Sequence, residues 1–394
     1  MNISRVLTLT PALVFGCWLP GASWAQVNSG SDGSDGAFNP TTNIVINMAD
    51  HPTGIYQYTS VNIPANVTVT FTPNANNTPV IWLVQSNLTI SGVVNLSGQT
   101  SPAASGGPPT GGLGGPGGGS GGNGGPTPSS GQGYGAGTAN LGKDGANASF
   151  ATLGVTNNNQ IPPGLTYGNV YLLPLVGGSG GGGSSSSGGG GGGGAILIAA
   201  SGAISLNGGV YSQGGSWSGG RWSGAGSGGA VRLVASQIYG SGWINTAGGS
   251  YGGGPGGGSG FVRFDSYNNA FTGAVYGQFT FGSQFIIIPA SGQLPQLTVT
   301  SVGGVPVSAS PTGLLSTPDA VLSAQQNNPI PIVVSCANLP LNTLITVSVT
   351  PANGLPVSAV GYNSTGTLAS STASVSLNIP RGGGLIYATA ATGN

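Results

Sequence analysis

The sequence predicts an all-β chain: a parallel β-helix (solenoid) with glycine-rich excursions, followed by an immunoglobulin-like β-sandwich. Three observations carry this prediction. Glycine supplies 79 of 394 residues and arrives in blocks, chiefly 111–125, 177–194, 214–229 and 248–260. The short apolar runs between the blocks look like one another, so the blocks separate copies of a repeated unit rather than unlike domains. Beyond Pro289 the glycine blocks stop, and runs with apolar–polar alternation take over.

The elements follow in order. Residues 1–25 read as a secretory signal. Arg5 gives the positive end, 6–19 is mostly apolar, and Ser23 and Ala25 are the small residues that a signal peptidase reads, so Gln26 is the expected mature start. The apolar run falls short of the roughly 20 residues of a membrane span. Lipidation at Cys17, in Val14-Phe15-Gly16-Cys17, is the alternative reading. No later segment is long enough to cross a membrane as a helix.

The solenoid is expected over 26–289. Residues 26–53 would cover its open end, and Val61, Ile63, Val67, Val69 and Phe71 would supply the first coil. Four segments then superpose. The first runs through 79–84, 87–90 and 93–98. The second covers 195–199, 202–206 and 210–214. The third covers 230–234, 237–239 and 243–248. The fourth opens at 261–265 and continues more poorly to Phe281. Each copy has three short strands with Asn, Gly and Ser at the turns, residues that tolerate positive φ or bond their own backbone. The excursions leave from the same corner and should emerge on one side. In the third strand of the third copy, Ile244 and Thr246 point opposite to Trp243 and Asn245. Residues 290–394 carry about seven short alternating strands without paired cysteines, the pattern of the sandwich.

Composition excludes several functions. Six Lys/Arg and six Asp/Glu give a formal net charge of zero, and there is no glutamate. A nucleic-acid binder needs a basic face, which this chain cannot build. Near-zero charge favours self-association. Without the signal, Cys336 is the one cysteine, so no intramolecular disulfide is possible. It reads as a small buried apolar residue.

Residues 30–38, 62–69 and 194–199, the last followed by glycine-rich breaks, resemble bacterial exported glycine-rich surface proteins of unknown function. The resemblance covers Ser31 to about Phe281 and implies export and repeat architecture. The glycine blocks are also similar to those of phage tail adhesins and glycine-rich antifreeze proteins, in which extended glycine strands pack as a polyglycine II bundle. Here 177–194 holds 13 glycines without a strict Gly-X-Y register.

Parallel β-helices commonly carry polysaccharide lyases or hydrolases, so a carbohydrate-active enzyme is one alternative. Glycosidases need two carboxylates across the scissile bond. Asp265 neighbours Arg263, and Asp144 neighbours Lys143, and neither pair brings a second carboxylate. Arg263 and Asp265 read as an ion pair covering the solenoid, of the exposed and weak kind. Exchanging Asp265, Asp144 or Asp50 for Asn is therefore expected to leave binding and stability nearly unchanged. His51, in Asp50-His51-Pro52, lacks triad partners nearby and reads as a capping residue. One histidine argues against zinc. Asp32 and Asp35 only faintly resemble a calcium loop. Residues 137–143 match most of a phosphate-binding loop, but Asp144 stands where the magnesium-binding hydroxyl belongs. The sequence thus predicts no catalytic residues, no metal and no cofactor.

Binding remains. Tyr134, Tyr211, Trp217, Trp222 and Tyr251 are the candidate binding residues, with Trp243 and Tyr239 also in or beside glycine blocks. Aromatic rings flanked by glycine can present flat faces to sugars or partner surfaces; they can equally pack over neighbouring loops. The expected function is that of an exported, non-catalytic cell-surface or extracellular protein with an adhesive or structural role through a glycine-rich face, its partners surface glycans or further copies of itself. An ice-binding protein is the other alternative, for which Thr68, Thr70 and Thr72 give only a short threonine array.

Overall fold

The computed structural model describes residues 27–102, 108–139, 144–156, 161–217, 223–251, 254–283, 285, 295–308, 311, 313, 317–352 and 354–390. The signal segment, Lys143, Arg221 and Trp222 lie outside the described residues. The fold is all-β with parallel sheets. A single 3-10 turn, Met48–Asp50, is the one helical element among the described residues.

The strands before the first long excursion are β1 (Gly36–Phe38), β2 (Ile44–Asn47), β3 (Ile55–Ile63), β4 (Thr68–Thr72), β5 (Val80–Val84), β6 (Leu88–Ile90) and β7 (Val93–Asn95). After it come β8 (Ala195–Ala200), β9 (Ala203–Leu206), β10 (Gly209–Tyr211), β11 (Ala230–Gly240) and β12 (Trp243–Asn245). A two-residue pair, β13 (Ser250–Tyr251) and β14 (Gly254–Pro255), precedes β15 (Phe261–Phe271), β16 (Ala274–Tyr276) and β17 (Gln278–Gly282).

Apart from that small pair, these strands stack in three parallel columns of six. The first column holds the first half of β3, then β5, β8, the first halves of β11 and β15, and β17. The second holds β1, the second half of β3, β6, β9, and the second halves of β11 and β15. The third is a separate sheet of β2, β4, β7, β10, β12 and β16. The repeat is cleaner than the sequence implies. The fourth copy is complete, and in the third and fourth copies the first two strands fuse into one of 11 residues. The amino-terminal segment does more than cover an end, since β1 and β2 extend two columns.

In-register pairing lines up like residues across the copies. Val69, Val94, Val210 and Ile244 form one fully buried row. Tyr56, Trp82, Ile198, Leu233 and Phe264 form another, all within one core. Each such side chain contributes on the order of 1.5–3 kcal/mol by leaving water, and no disulfide is needed to hold the coil.

The excursions leave after β7, β10 and β12, all in the third column, and return at β8, β11 and β15, all in the first. Their described parts are ordered by backbone hydrogen bonds in three dimensions. Segment 189–194 lies at the centre. Gly189 and Gly192 donate to the carbonyls of Gly122 and Gly119, Gly190 and Gly193 to Gly224 and Ser227, and Gly191 and Gly194 to Gln99 and Leu96. Their own carbonyls accept from Gly112 and Gly115, from Gly181 and Gly178, and from Gly215 and Ala230. Residues three apart therefore face the same neighbour, which is the signature of an extended helix with about three residues per turn. A sheet strand would bond to two neighbours, whereas this one is surrounded on every side. No strict Gly-X-Y register is required. What is required is the absence of a side chain: a Cβ at Gly190 would lie 2.0 Å from the Gly215 carbonyl oxygen, and one at Gly193 2.2 Å from that of Ser212.

Residues 296–390 form two antiparallel sheets over one shared core. One joins β18 (Gln296–Val302), β19 (Val305–Pro306), β20 (Ile330–Ala337), β23 (Thr365–Gly366) and β24 (Ser371–Leu377). The other joins β21 (Leu344–Pro351), β22 (Val357–Tyr362) and β25 (Gly384–Ala390). Cys336 is fully buried among Ile332, Val334 and Val375.

Candidate functional site

The face of the third column turned away from the core is the strongest candidate. Alternation puts Val94, Val210 and Ile244 inside, so their neighbours point outward. One outward row reads Thr70, Asn95, Tyr211, Asn245, Tyr276. The adjacent one reads Thr68, Val93, Gly209, Trp243, Ala274. Tyr211 is half-buried, while Trp243 is 38% and Tyr276 54% exposed.

Trp243 is fixed by its neighbours. Its indole Nε1 donates to the Tyr211 hydroxyl, and the two rings meet edge to face with centroids 6.3 Å apart. Gly209 makes room for this, because a Cβ there would fall 2.4 Å from the indole nitrogen. Asn95 and Asn245 each cap the following turn by accepting from the backbone of Ser97 and Ala247, which holds both amides at the strand ends. Strands lie about 4.8 Å apart, so Tyr211 and Tyr276, two strands apart, are separated by roughly 10 Å along a rigid plane. Such a plane offers two polarised rings with the Asn245 amide between them and the Asn95 amide beyond Tyr211.

The other candidates have different places. Tyr134 is not presented to solvent as a binding ring. It packs between Tyr167 and Tyr387, with centroids 5.5 and 4.4 Å away, and donates its hydroxyl proton to the Ala388 carbonyl at 3.0 Å. Nearby, Gly133 N–H donates to the Tyr387 hydroxyl at 2.7 Å, and the Ser130 hydroxyl donates to the Pro351 carbonyl at 2.7 Å. This junction joins the glycine bundle to the β21–β25 sheet. Burial pushes the phenols of both Tyr134 and Tyr387 up to about 12. Trp217 is half-buried just after the third strand of its copy. Tyr251 has its backbone in the β13–β14 pair, and Trp222 lies outside the described residues.

The ion pair is a correction. Asp265 is fully buried and bridges two arginines, accepting from Arg232 Nε at 3.0 Å and Arg263 Nε at 2.9 Å. Register explains this, since Arg232 and Arg263 are cross-strand partners on β11 and β15. The Arg263 guanidinium lies 5.4 Å from the Tyr171 ring centroid, under the segment that covers this face. Burial pulls the Arg232 pKa down against the pull of Asp265. Sequence reading missed Arg232 because it lies 33 residues from Asp265, and only the repeat alignment brings them together.

The remaining polar candidates are structural in placement. His51 follows the Met48–Asp50 turn, stacks on Tyr56 at 4.2 Å and lies 3.1 Å from an Asp35 carboxylate oxygen. Asp32 accepts from Ser34, which lowers its pKa. Gly137 donates to Gly180 inside the glycine bundle, so the described part of the phosphate-loop pattern serves the packing. Among the described residues no three His, Cys, Asp or Glu side chains group as a metal site.

No family model, no curated protein and no solved structure matches this chain.

Proposed function

We propose that this is an exported, non-catalytic surface or extracellular protein of adhesive or structural type, whose ligand-facing surface is the aromatic and amide strip on the third column. On this reading the three columns are the faces of a parallel β-helix, the glycine blocks are a polyglycine II bundle mounted on one corner, and the two antiparallel sheets are an immunoglobulin-like sandwich. The observation that carries the adhesive role is the packing of Trp243 on Tyr211, which shares an outward row with the exposed Tyr276. Rings held on strands stack on a pyranose with little loss of side-chain freedom. Glycans are therefore the ligand class. Threonine occupies one position in each outward row, Thr70 and Thr68, and the later copies carry Tyr211, Trp243 and Tyr276 instead, which favours sugar over ice. The glycine bundle supplies stiffness and, through Tyr134 and Tyr387, a fixed mount for the carboxy-terminal sheets.

A glycan array with the exported chain tests this. Binding that falls at least about tenfold in Trp243→Ala and Tyr211→Ala, as loss of one or two stacking rings requires, with unchanged melting, is the expected result. An array without a hit, or binding indifferent to both exchanges, refutes the adhesive role.

A further inference from the structure

The outward row of the third column alternates. On β7, β10, β12 and β16 it reads Asn95, Tyr211, Asn245 and Tyr276, so amide and ring take turns. Like groups therefore recur every second strand, at roughly 10 Å. The row is flanked on both sides. On one side stands Trp243, bonded to the Tyr211 hydroxyl and 38% exposed. On the other, the chain runs on in register past the strand ends, since Gly98 donates to Gln213 and Gly214 to Ala247. That continuation sets half-buried Ser97 and Gln213 alongside the row. The two amides are only half used. Oδ1 of Asn95 and of Asn245 accepts from the following turn, and among the described residues neither Nδ2 donates a hydrogen bond. No residue of the six strands in this column is charged.

We infer that this row is a track for a neutral, unbranched β-1,4-linked polysaccharide lying across the strands. The inference rests on the glycan reading above and adds linkage, charge and length to it. A β-1,4-linked chain of pyranoses is straight, and each sugar is turned by half a revolution from the last, so every second sugar presents the same face. Its rise per sugar is close to the strand spacing of about 4.8 Å. One sugar thus falls on each strand. Sugars of one orientation meet rings, at the Tyr211–Trp243 pair and again at Tyr276, where their C–H faces lie against the π-systems. Sugars of the other orientation meet Asn95 and Asn245, whose unused Nδ2 protons suit ring hydroxyls. An α-1,4-linked chain coils away from a straight row and cannot keep this step. Charge selects as well. A carboxylated or sulfated chain would give up water at its anions with no cation in the column to replace it. Length follows from the register, because the alternation spans four strands and so takes four sugars.

Titration calorimetry of the exported full chain tests this. The probes are β-1,4-linked oligomers of glucose and of N-acetylglucosamine, two to six units long, with α-1,4-linked glucose oligomers of the same lengths beside them. In at least one β-linked series, affinity should rise roughly two- to tenfold for each ring step gained and level off at about four units. The α-linked series should bind at least about tenfold more weakly at four units. Tyr276 is exposed, so Tyr276→Ala should melt like the wild type. That variant should lose roughly two- to tenfold on the four-unit chain and nothing on the two-unit chain. Equal binding of the α- and β-linked series overturns the track, as does affinity without length dependence or a Tyr276→Ala variant that binds four units like the wild type. So does failure of both β-linked series when the array shows other glycans bound through Trp243 and Tyr211, a result that leaves the adhesive reading standing. An array without any hit refutes both.

Discussion

Exchanging Gly191 for valine tests whether the glycine bundle is a packed body. The new Cβ would lie 2.1 Å from the Leu113 carbonyl oxygen and 2.5 Å from its carbon. An ordinary C···O approach is about 3.3 Å, so a backbone segment must retreat by more than about 1 Å. That segment is tied: Leu113 O accepts from Gln99 N–H, Gln99 O accepts from Gly191 N–H, and Gly191 O accepts from Gly215 N–H. Overpacking costs about 1–3 kcal/mol. Weakening two of these bonds adds about 1–2 kcal/mol. The smaller freedom of valine in the unfolded chain returns about 0.4–1 kcal/mol. The net loss is about 3 kcal/mol, or roughly a hundredfold in local opening. Amide hydrogen exchange reads this directly. Residues 189–194 should be protected in the wild type and lose about a hundredfold of protection in the variant. Ser185→Ala, at a half-buried position in the same excursion, should leave both unchanged. Wild-type glycine amides exchanging at the rate of a free chain, or equal protection in Gly191→Val, would refute the packed bundle.

Asp265→Asn should destabilise by about 3–5 kcal/mol, because it leaves two buried guanidinium groups without their shared carboxylate; a melting curve shifted by less than a degree would count against the buried cluster. Asp50→Asn, by contrast, changes an exposed carboxylate and should stay within about 0.5 kcal/mol by the same measurement. Tyr134 and Tyr387 couple the junction between the glycine segments and the β21–β25 sheet to pH. Their phenols are raised from 10.0 to about 12 in the folded chain, so their contribution is complete below pH 10 and is lost as pH rises towards 12. Tyrosinate absorbance should lag that of free tyrosine, and Tyr387→Phe should lower the pH at which the junction opens, read by proteolysis between the two parts.

Much of the architecture was legible because repetition writes it into the sequence. Apolar runs at 80–84, 196–198, 231–234 and 261–264 align as neighbours in one column because like rows stack. The corner from which the excursions leave was legible for the same reason. The ordering of the glycine blocks was not, since a glycine run encodes no partner: Gly191 bonds to Gln99 and Gly215, 92 and 24 residues away, and nothing in its own sequence says so. Nor could the sequence separate binding rings from packing rings. Tyr134 and Tyr211 both stand beside glycine, yet one closes a junction and the other lies on an outer face. Trp243 was visible in the alternation of its strand, but its packing on Tyr211, in the row of Tyr276, depends on register across three copies.

The same register argument explains why a chain with so little charge can hold a glycine bundle together. Glycine loses more conformational freedom on folding than any other residue, so an isolated bundle of this size starts from a large entropic deficit. Here each excursion is anchored at both ends in a column: the first leaves β7 and returns at β8, the second leaves β10 and returns at β11, and the third leaves β12 and returns at β15. Stacked strands about 4.8 Å apart fix those anchors in one plane. That spacing matches the distance at which backbones without side chains can exchange hydrogen bonds. Ala230, the first residue of β11, donates to Gly194, and Phe261, the first residue of β15, donates to Gly229. Column ladder and glycine bundle are therefore one continuous hydrogen-bond lattice. The columns lower the entropy that the glycine segments still have to lose.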